Sequence, residues 1–380
     1  MHYKSYRVRI YPNKKQEELI WKHIGASRFI WNYMLDLQQE RYKNGEKHLS
    51  AYDMSYLIKS LRQEHEWLQE VATNSLYRVC ADLANSYQRF FKGISGYPGY
   101  KSRKRSKPAY PFRNEGLYFK GKVAVLEILG KIKYKSDYKF PQGRGHKYSD
   151  VRLHFDNGKY MLSFVVECEN QAPIELTDKP MGIDLGIKEL AVVAFGDEQI
   201  VFHNINKSKK MRDIDKRIKH GQRSLSRKYL ASMKRNGGKC IKTNNIVKQE
   251  RKVAKLQRRT SNIRNNYIHQ TTHDLTSMLP KQVVMEKLNV SGMMKNKHLS
   301  RAIEYQAFSK FIIRMKYKCE WKGIRFIQAD RFYPSSKKCS NCGEIKKDLK
   351  LKDRTYICPH CGFRIDRDYN AAINLMRYEA

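Results

Sequence analysis

Acidic residues are scarce in this chain. Only 37 Asp and Glu stand against 76 Lys and Arg, which leaves a formal net charge of +39 over 380 residues. An imbalance of that size calls for a polyanionic partner, because each Lys or Arg placed on a phosphate releases a condensed counterion. The alternative is a very soluble basic surface. Long hydrophobic runs are also missing. No stretch approaches the roughly 18 apolar residues of a membrane helix, so no membrane partner is expected. The start, "MHYKSYRVRIYPNKKQ", has no apolar run behind its basic residues, which argues against a secretory signal and for a cytoplasmic, nucleoid-associated protein. Internal repeats are absent. Paired cysteines at disulfide-like spacing are absent too: four of the eight form two C-x-x-C pairs, and Cys80, Cys168, Cys240 and Cys319 are scattered. In a reducing compartment this reads as a metal site plus isolated thiols.

Aromatic residues are present in quantity. They make up 12% of the chain and include 25 tyrosines, which suits stacking on unpaired bases as well as core packing. The length accommodates two or three domains. "KSYRVRIYP" (4–12) alternates and ends in Pro, so it predicts a strand. Helical stripes follow: Ile30, Tyr33, Met34 and Leu37; Met54, Leu57, Ile58 and Leu61; then Leu76, Val79, Cys80, Leu83, Tyr87, Phe90 and Phe91. Each predicts the core face of a small helical domain. "GISGYPGYKSRKRSKP" (93–108) ends it, either as a loop laid on phosphate or as a solvated basic linker. Strands return at 122–129, 150–155 and 159–169, with Asp156-Asn157-Gly158 as a hairpin turn. Together with the first strand they predict one small β-barrel, interrupted by the helical insertion.

A third region starts near 178. "MGIDLGIKELAVVAFGDEQIVFHNI" predicts three consecutive strands. Residues 206–272 predict a basic helical hairpin broken at 236–239, with Ile246, Val253, Leu256, Ile263 and Tyr267 spaced as a coiled-coil seam. A strand (281–288), a helix (304–323) and a strand (324–330) complete the pattern. Cys339, Cys342, Cys358 and Cys361 then give C-x₂-C, fifteen residues, C-x₂-C, the spacing of a closed, structural zinc ribbon. His360, between two of them, reads as a surface residue.

Three acids stand out. Asp184 lies in an apolar strand, "GIDLG", and Glu286 ends another, "VVMEKL". A charge so placed is costly unless something neutralises it. Asp368 opens the helix "DYNAAINLM", where capping is the simpler role; Asp366 reads as a surface acid, the alternative being an acid that supports the other three from behind. Together, two acids on strands and one at a helix start predict a site for two Mg²⁺ or Mn²⁺ ions and phosphodiester hydrolysis. The element order is that of a ribonuclease H-like fold, and the last acid on a terminal helix points to its RuvC-like branch. Ala371 and Ala372 would let that helix sit close to the sheet.

At these residues the sequence resembles the TnpB family of transposon-encoded RNA-guided nucleases, relatives of type V CRISPR effectors. "YRVRIYPNKKQEELI", "SRFIWNYML", "LANSYQRFFKG", "GIDLGIKELAVV", "VVMEKLNV", "RFYPSSKKCSNCG" and "CPHCGFRIDRDYNAAINL" carry the resemblance over the full length. It implies an α/β multidomain protein: a β-barrel wedge domain (1–12 and 108–177) carrying an inserted helical recognition domain (13–107), then a RuvC-like nuclease domain (178–331 and 363–380) with an inserted zinc ribbon (332–362). It implies catalytic Asp184, Glu286 and Asp368 on magnesium or manganese, and zinc on the four cysteines. It implies a guide RNA from the transposon end, a double-stranded DNA target, and one chain per RNA. Tyr52, Thr73, Asn74 and Tyr77 are the candidates for reading a short duplex motif beside the target. The activity implied is RNA-guided DNA cleavage. The alternatives are a nuclease-inactive RNA-guided DNA binder and an RNA-independent transposase.

If the charge engages phosphate, affinity for RNA should fall steeply between roughly 50 and 200 mM salt, as filter binding would show. A flat response would mean that the charge is solvated.

Overall fold

The structure, a computed structural model, describes residues 2–113, 116–143, 145–156, 158–168, 174–350 and 353–379. It divides into two compact units, 1–169 and 170–380. In the first, strand β1 (His2–Tyr11) leads into the long helix α1 (Lys14–Lys43), which Asn13 and Gln16 open with a reciprocal capping box. Helices α2 (Ala51–Tyr56), α3 (Ile58–Glu64) and α4 (Thr73–Phe91) follow, then strands β2 (Ala109–Pro111), β3 (Leu117–Lys120), β4 (Val123–Leu126), β5 (Gly130–Lys135), β6 (Tyr148–Asp156) and β7 (Lys159–Cys168). The strands form one antiparallel sheet in the order β2-β6-β7-β1-β5-β4-β3. β1 lies in its middle, so the helices are an insertion between the first strand and the rest, as expected. Among the described residues no ladder joins the edges β2 and β3. The expected 156–158 hairpin is present, with Asp156 opposite Lys159 and Gly158 at φ 78; Asn157 lies outside the described residues.

Helix α1 serves two cores. Ile20 and Ile24 pack with the sheet, around Phe119, Leu162 and Phe164. Ala26, Ile30, Met34 and Leu35 pack with Met54, Ile58, Leu61, Leu76, Val79 and Leu83. The expected helical stripes therefore hold except at two positions: Tyr33 in the first and Phe91 at the end of the third are exposed. The basic loop after α4 is pinned rather than laid out. Trp31 donates to Gly99 O, Asn32 bonds both backbone groups of Lys101, and the Lys101 ammonium lies 3.4 Å from the centre of the Trp31 ring. Burial draws Lys101 down to about 8. Arg103, Lys104, Arg105 and Lys107 remain exposed.

The second unit has a five-stranded sheet. Strands β8 (Pro180–Leu185), β9 (Glu189–Phe195) and β10 (Glu198–His203) form the expected antiparallel run. The basic hairpin follows as α5 (Lys209–Arg235) and α6 (Asn244–Ser277). Gly221 on α5 lets α6 come close, since a Cβ there would lie 2.9 Å from a Val253 methyl. Next come β11 (Gln282–Glu286), α7 (Val290–Met293), α8 (Ser300–Gln306), α9 (Phe308–Lys322) and β12 (Arg325–Ala329). The expected single helix 304–323 is in fact two, broken at Ala307, whose φ is 53. The chain ends in a two-stranded ribbon, β13 (Thr355–Ile357) with β14 (Arg364–Asp366), and α10 (Arg367–Met376). The sheet order is β10-β9-β8-β11-β12, with β8, β11 and β12 parallel.

Strand alternation gives this sheet two different faces. Met181, Ile183, Leu185, Val283 and Met285 pack with Phe308, Phe311, Met315 and Leu275 of the helices on one side. Val192, Ala194 and Val284 meet Ala372 and Leu375 of α10 on the other. There the approach is extreme. A Cβ on Gly182 would lie 2.0 Å from the Ala372 carbonyl oxygen and 2.3 Å from the Met376 nitrogen. Ala371 and Ala372 are buried, as the close-packing expectation required.

Gly182→Ala should therefore destabilise the protein by roughly 3 kcal/mol, read from chemical denaturation, because backbone atoms cannot step aside. Gly25→Ala, in α1 with open space around it, should be neutral or slightly stabilising. Equal effects would contradict the close approach.

Candidate functional site

The same alternation locates the acids. Gly182 faces α10, so Asp184, two residues on, leaves the strand toward that side. Val284 packs against Leu375 of α10, so Glu286 does likewise. The parallel register pairs Ile183 with Met285, and Asp184 and Glu286 are the next residue of each strand. Asp368 sits in the first turn of α10. Capping, the simpler role for it, belongs instead to Asp366, whose carboxylate accepts from the backbone N–H of Asp368 at 2.9 Å and of Tyr369 at 3.1 Å. Asp366 is exposed, as expected of a surface acid, and it also caps the helix, which leaves the Asp368 carboxylate free of that duty.

Electrostatics show that the acids share a neighbourhood. Asp184 is pushed well above the usual carboxylate range by desolvation first, then by the charges of Asp368 and Glu286, while Arg367 pulls it back. Glu286 is raised by desolvation. A folded chain that holds a proton the unfolded chain has released loses stability as pH rises through that range. Such a pocket favours cations. The three carboxylates are not drawn tightly together, however. Among the described residues, the four cysteines are the group whose ligand atoms converge. Asp368 is turned to arginine: Arg367 donates Nε and Nη2 to its Oδ1 at 3.1 and 2.9 Å, and Arg354 lies 4.0 Å from Oδ2.

The cysteines meet as their spacing predicts. The Sγ atoms of Cys339, Cys342, Cys358 and Cys361 lie within 4.8 Å of one another, with 3.7 Å from Cys339 to Cys361 and 3.6 Å from Cys342 to Cys358. Four sulfurs about 2.3 Å from one tetrahedral ion stand about 3.8 Å apart, so the quartet fits. Both knuckles turn alike. Gly343 and Gly362 follow them at φ 82 and 70, and donate to the carbonyls of Cys339 and Cys358. The backbone N–H of Phe363, with help from Asn341, draws the Cys361 thiol down to about 6. His360 is exposed and outside the cluster.

The first knuckle is bonded to the acid-bearing helix. Asn370 Oδ1 accepts from Ser340 N at 3.0 Å, and its Nδ2 donates to Lys338 O at 2.8 Å. One turn later Asn374 Nδ2 donates to Ser335 O at 2.8 Å and to Lys338 O at 2.7 Å. Arg377 donates to Ser340 O. Both asparagines are buried. Sequence reasoning missed them and Arg367. The available signal was two amides one turn apart, on the side of the helix next to the one that carries Ala371 and Leu375. In the first unit, Tyr52 on α2 and Tyr77 on α4 are exposed, while Thr73 and Asn74 are half-buried at the start of α4, with Asn74 donating to Glu127 at 3.4 Å.

Comparison with known proteins gives three family matches in chain order. A helix-turn-helix domain of the OrfB type of IS605 elements matches residues 1–47, which here are β1 and the single helix α1. The OrfB family itself, described as "Probable transposase", matches 163–297. The TNB domain of Cas12f1-like proteins matches 308–375. A Streptomyces pristinaespiralis protein, provisionally named an RNA-guided DNA endonuclease, is 27% identical over 98% of this chain and 88% of its own length. An Escherichia coli K12 protein with the same provisional naming is 26% identical over 98% and 91%. A TnpB-like protein of Acanthamoeba polyphaga mimivirus is 22% identical over 98% and 72%.

Asn370→Ala should cost roughly 2 kcal/mol, since it strands the buried Ser340 N–H, and should speed metal release to a chelator. Urea unfolding and a colorimetric zinc assay read the two effects. Unchanged metal release would separate α10 from the knuckle.

Proposed function

We propose that this chain, which is similar along its length to proteins of the TnpB, or OrfB, type, is an RNA-guided DNA endonuclease that cuts with Asp184, Glu286 and Asp368. One observation carries the reading: two strands and a distant helix deliver acids to one face of one sheet, where desolvation and mutual repulsion raise Asp184. The sheet order, with three strands antiparallel and two more added in parallel, suits a ribonuclease H-like domain of the RuvC branch. The donor set is all carboxylate oxygen, which suits Mg²⁺ or Mn²⁺. Bound there, two such ions would supply water activation and leaving-group stabilisation.

The chain's own residues do the positioning. β8 and β11 hold Asp184 and Glu286 side by side on paired backbone, and Asp366 fixes the helix start that orients Asp368. The quartet of thiols suits structural zinc, and the ribbon it closes is the part we assign to contact with the target strand. In the first unit, the sheet serves as the wedge and the helices as the recognition element. Tyr52 and Tyr77, exposed, with Thr73 and Asn74 beside them, are the proposed readers of a short duplex motif. Base pairing to a guide RNA from the transposon end reads the rest of the target, the division of labour of RNA-guided effectors.

Purified protein with its co-purified RNA and Mg²⁺ should cut a matched duplex. Asp184→Ala should abolish cutting and keep RNA-directed binding. Persistent cutting by that variant would remove the assignment. Matched-duplex binding without cutting by the native chain would favour a nuclease-inactive regulator, and absence of bound RNA a transposase.

A further inference from the structure

The acid pocket holds its own cation. Consecutive residues on an α-helix diverge by about 100° and do not ordinarily face one another. Arg367 and Asp368, the first two residues of α10, nevertheless meet: the guanidinium folds back so that Nε and Nη2 both bond Oδ1. Both side chains are largely enclosed, 14% and 15% exposed. The helix itself gains nothing from this arginine. A positive charge at the N-terminal turn opposes the helix dipole, and the orphan N–H groups there are already served by Asp366. The neighbouring acids do gain. The second arginine near Asp368, Arg354, is more distant and half exposed, so Arg367 is the closer counter-charge.

We propose that Arg367 is the resident counter-ion of the acid pocket and gates it: a divalent cation must displace the guanidinium from Asp368 before the three carboxylates can close around metal. The proposal rests on the metal-binding reading given above. It accounts for two facts together. The three acids are close enough to perturb Asp184 but do not converge as the cysteines do. And the oxygen of Asp368 that accepts two N–H bonds has both lone pairs engaged, leaving that oxygen nothing for a metal until the arginine swings away. A monovalent guanidinium neutralises the pocket less than a divalent ion does, so the exchange runs toward metal when metal is supplied.

The test uses the full-length, zinc-loaded protein and Mn²⁺ as probe, with free Mn²⁺ read by electron paramagnetic resonance. Arg367→Gln removes competitor and repulsion together, and should bind Mn²⁺ about tenfold more tightly than the native chain. Arg367→Lys keeps the charge without the fork and should fall between. With zinc kept at the thiols and no other divalent ion added, Arg367→Gln should melt below the native protein, and saturating Mn²⁺ should close the gap. Asp184→Asn separates the two ideas. If native Mn²⁺ binding is lost in Asp184→Asn but is unchanged or weaker in the arginine variants, the gate is wrong and the acid pocket stands. If Asp184→Asn binds Mn²⁺ as the native chain does, the pocket reading fails and the gate with it. Should Arg367→Gln not fold, the lysine variant decides: tighter binding supports the gate, equal or weaker binding overturns it.

Discussion

Backbone against backbone, α10 rests on β8 at Gly182, and the geometry of the second unit's site follows from that contact. No side chain separates the strand from the helix there, so the helix can come near enough for its first turn to reach the strand's end. Asp184 and Asp368 are far apart in sequence, and this contact makes them electrostatic neighbours. The closeness has a cost. Like charges in a desolvated pocket raise one another's proton affinity, and the chain meets that cost locally with Arg367 and, on the proposed reading, with divalent ions in the working state.

A ten-residue helix is too short to be stable alone. α10 is held from beneath by Ala372 and Leu375 on the sheet and from the side by Asn370 and Asn374 on the first knuckle. That arrangement explains why the second cysteine pair runs within a few residues into an acidic helix start. The cysteine centre fixes the backbone of 335–340, the two amides read that backbone, and the helix they belong to carries Asp368. The thiol cluster and the geometry at the acids are therefore mechanically linked through four hydrogen bonds to buried amides.

Much of this was legible before the structure, wherever the signal was local. The cysteine spacing, the three strands from 180 to 203 and the helical insertion all follow from period and turn chemistry. Other features were not legible, for physical reasons. β2, β3 and β5 are short or interrupted by Gly and Lys, so no alternation builds up, and the sheet's edges depend on long-range pairing that no residue announces. The break at Ala307 uses a left-handed backbone without the glycine that would flag it. Asp366 and Asp368 are the same residue type two positions apart, and only the helix start distinguishes cap from pocket acid. Asn370 and Asn374 look like exposed amides until the knuckle is folded against them.

The central claim is that Asp184, Glu286 and Asp368 form one cation pocket between β8, β11 and α10. Its most direct measurement is anomalous diffraction from crystals soaked in Mn²⁺. The account predicts strong peaks between the three carboxylates, with their oxygens at bonding distance and the Arg367 guanidinium withdrawn from Asp368. Carboxylates pointing apart in manganese-saturated crystals, with no peak between them, would contradict it.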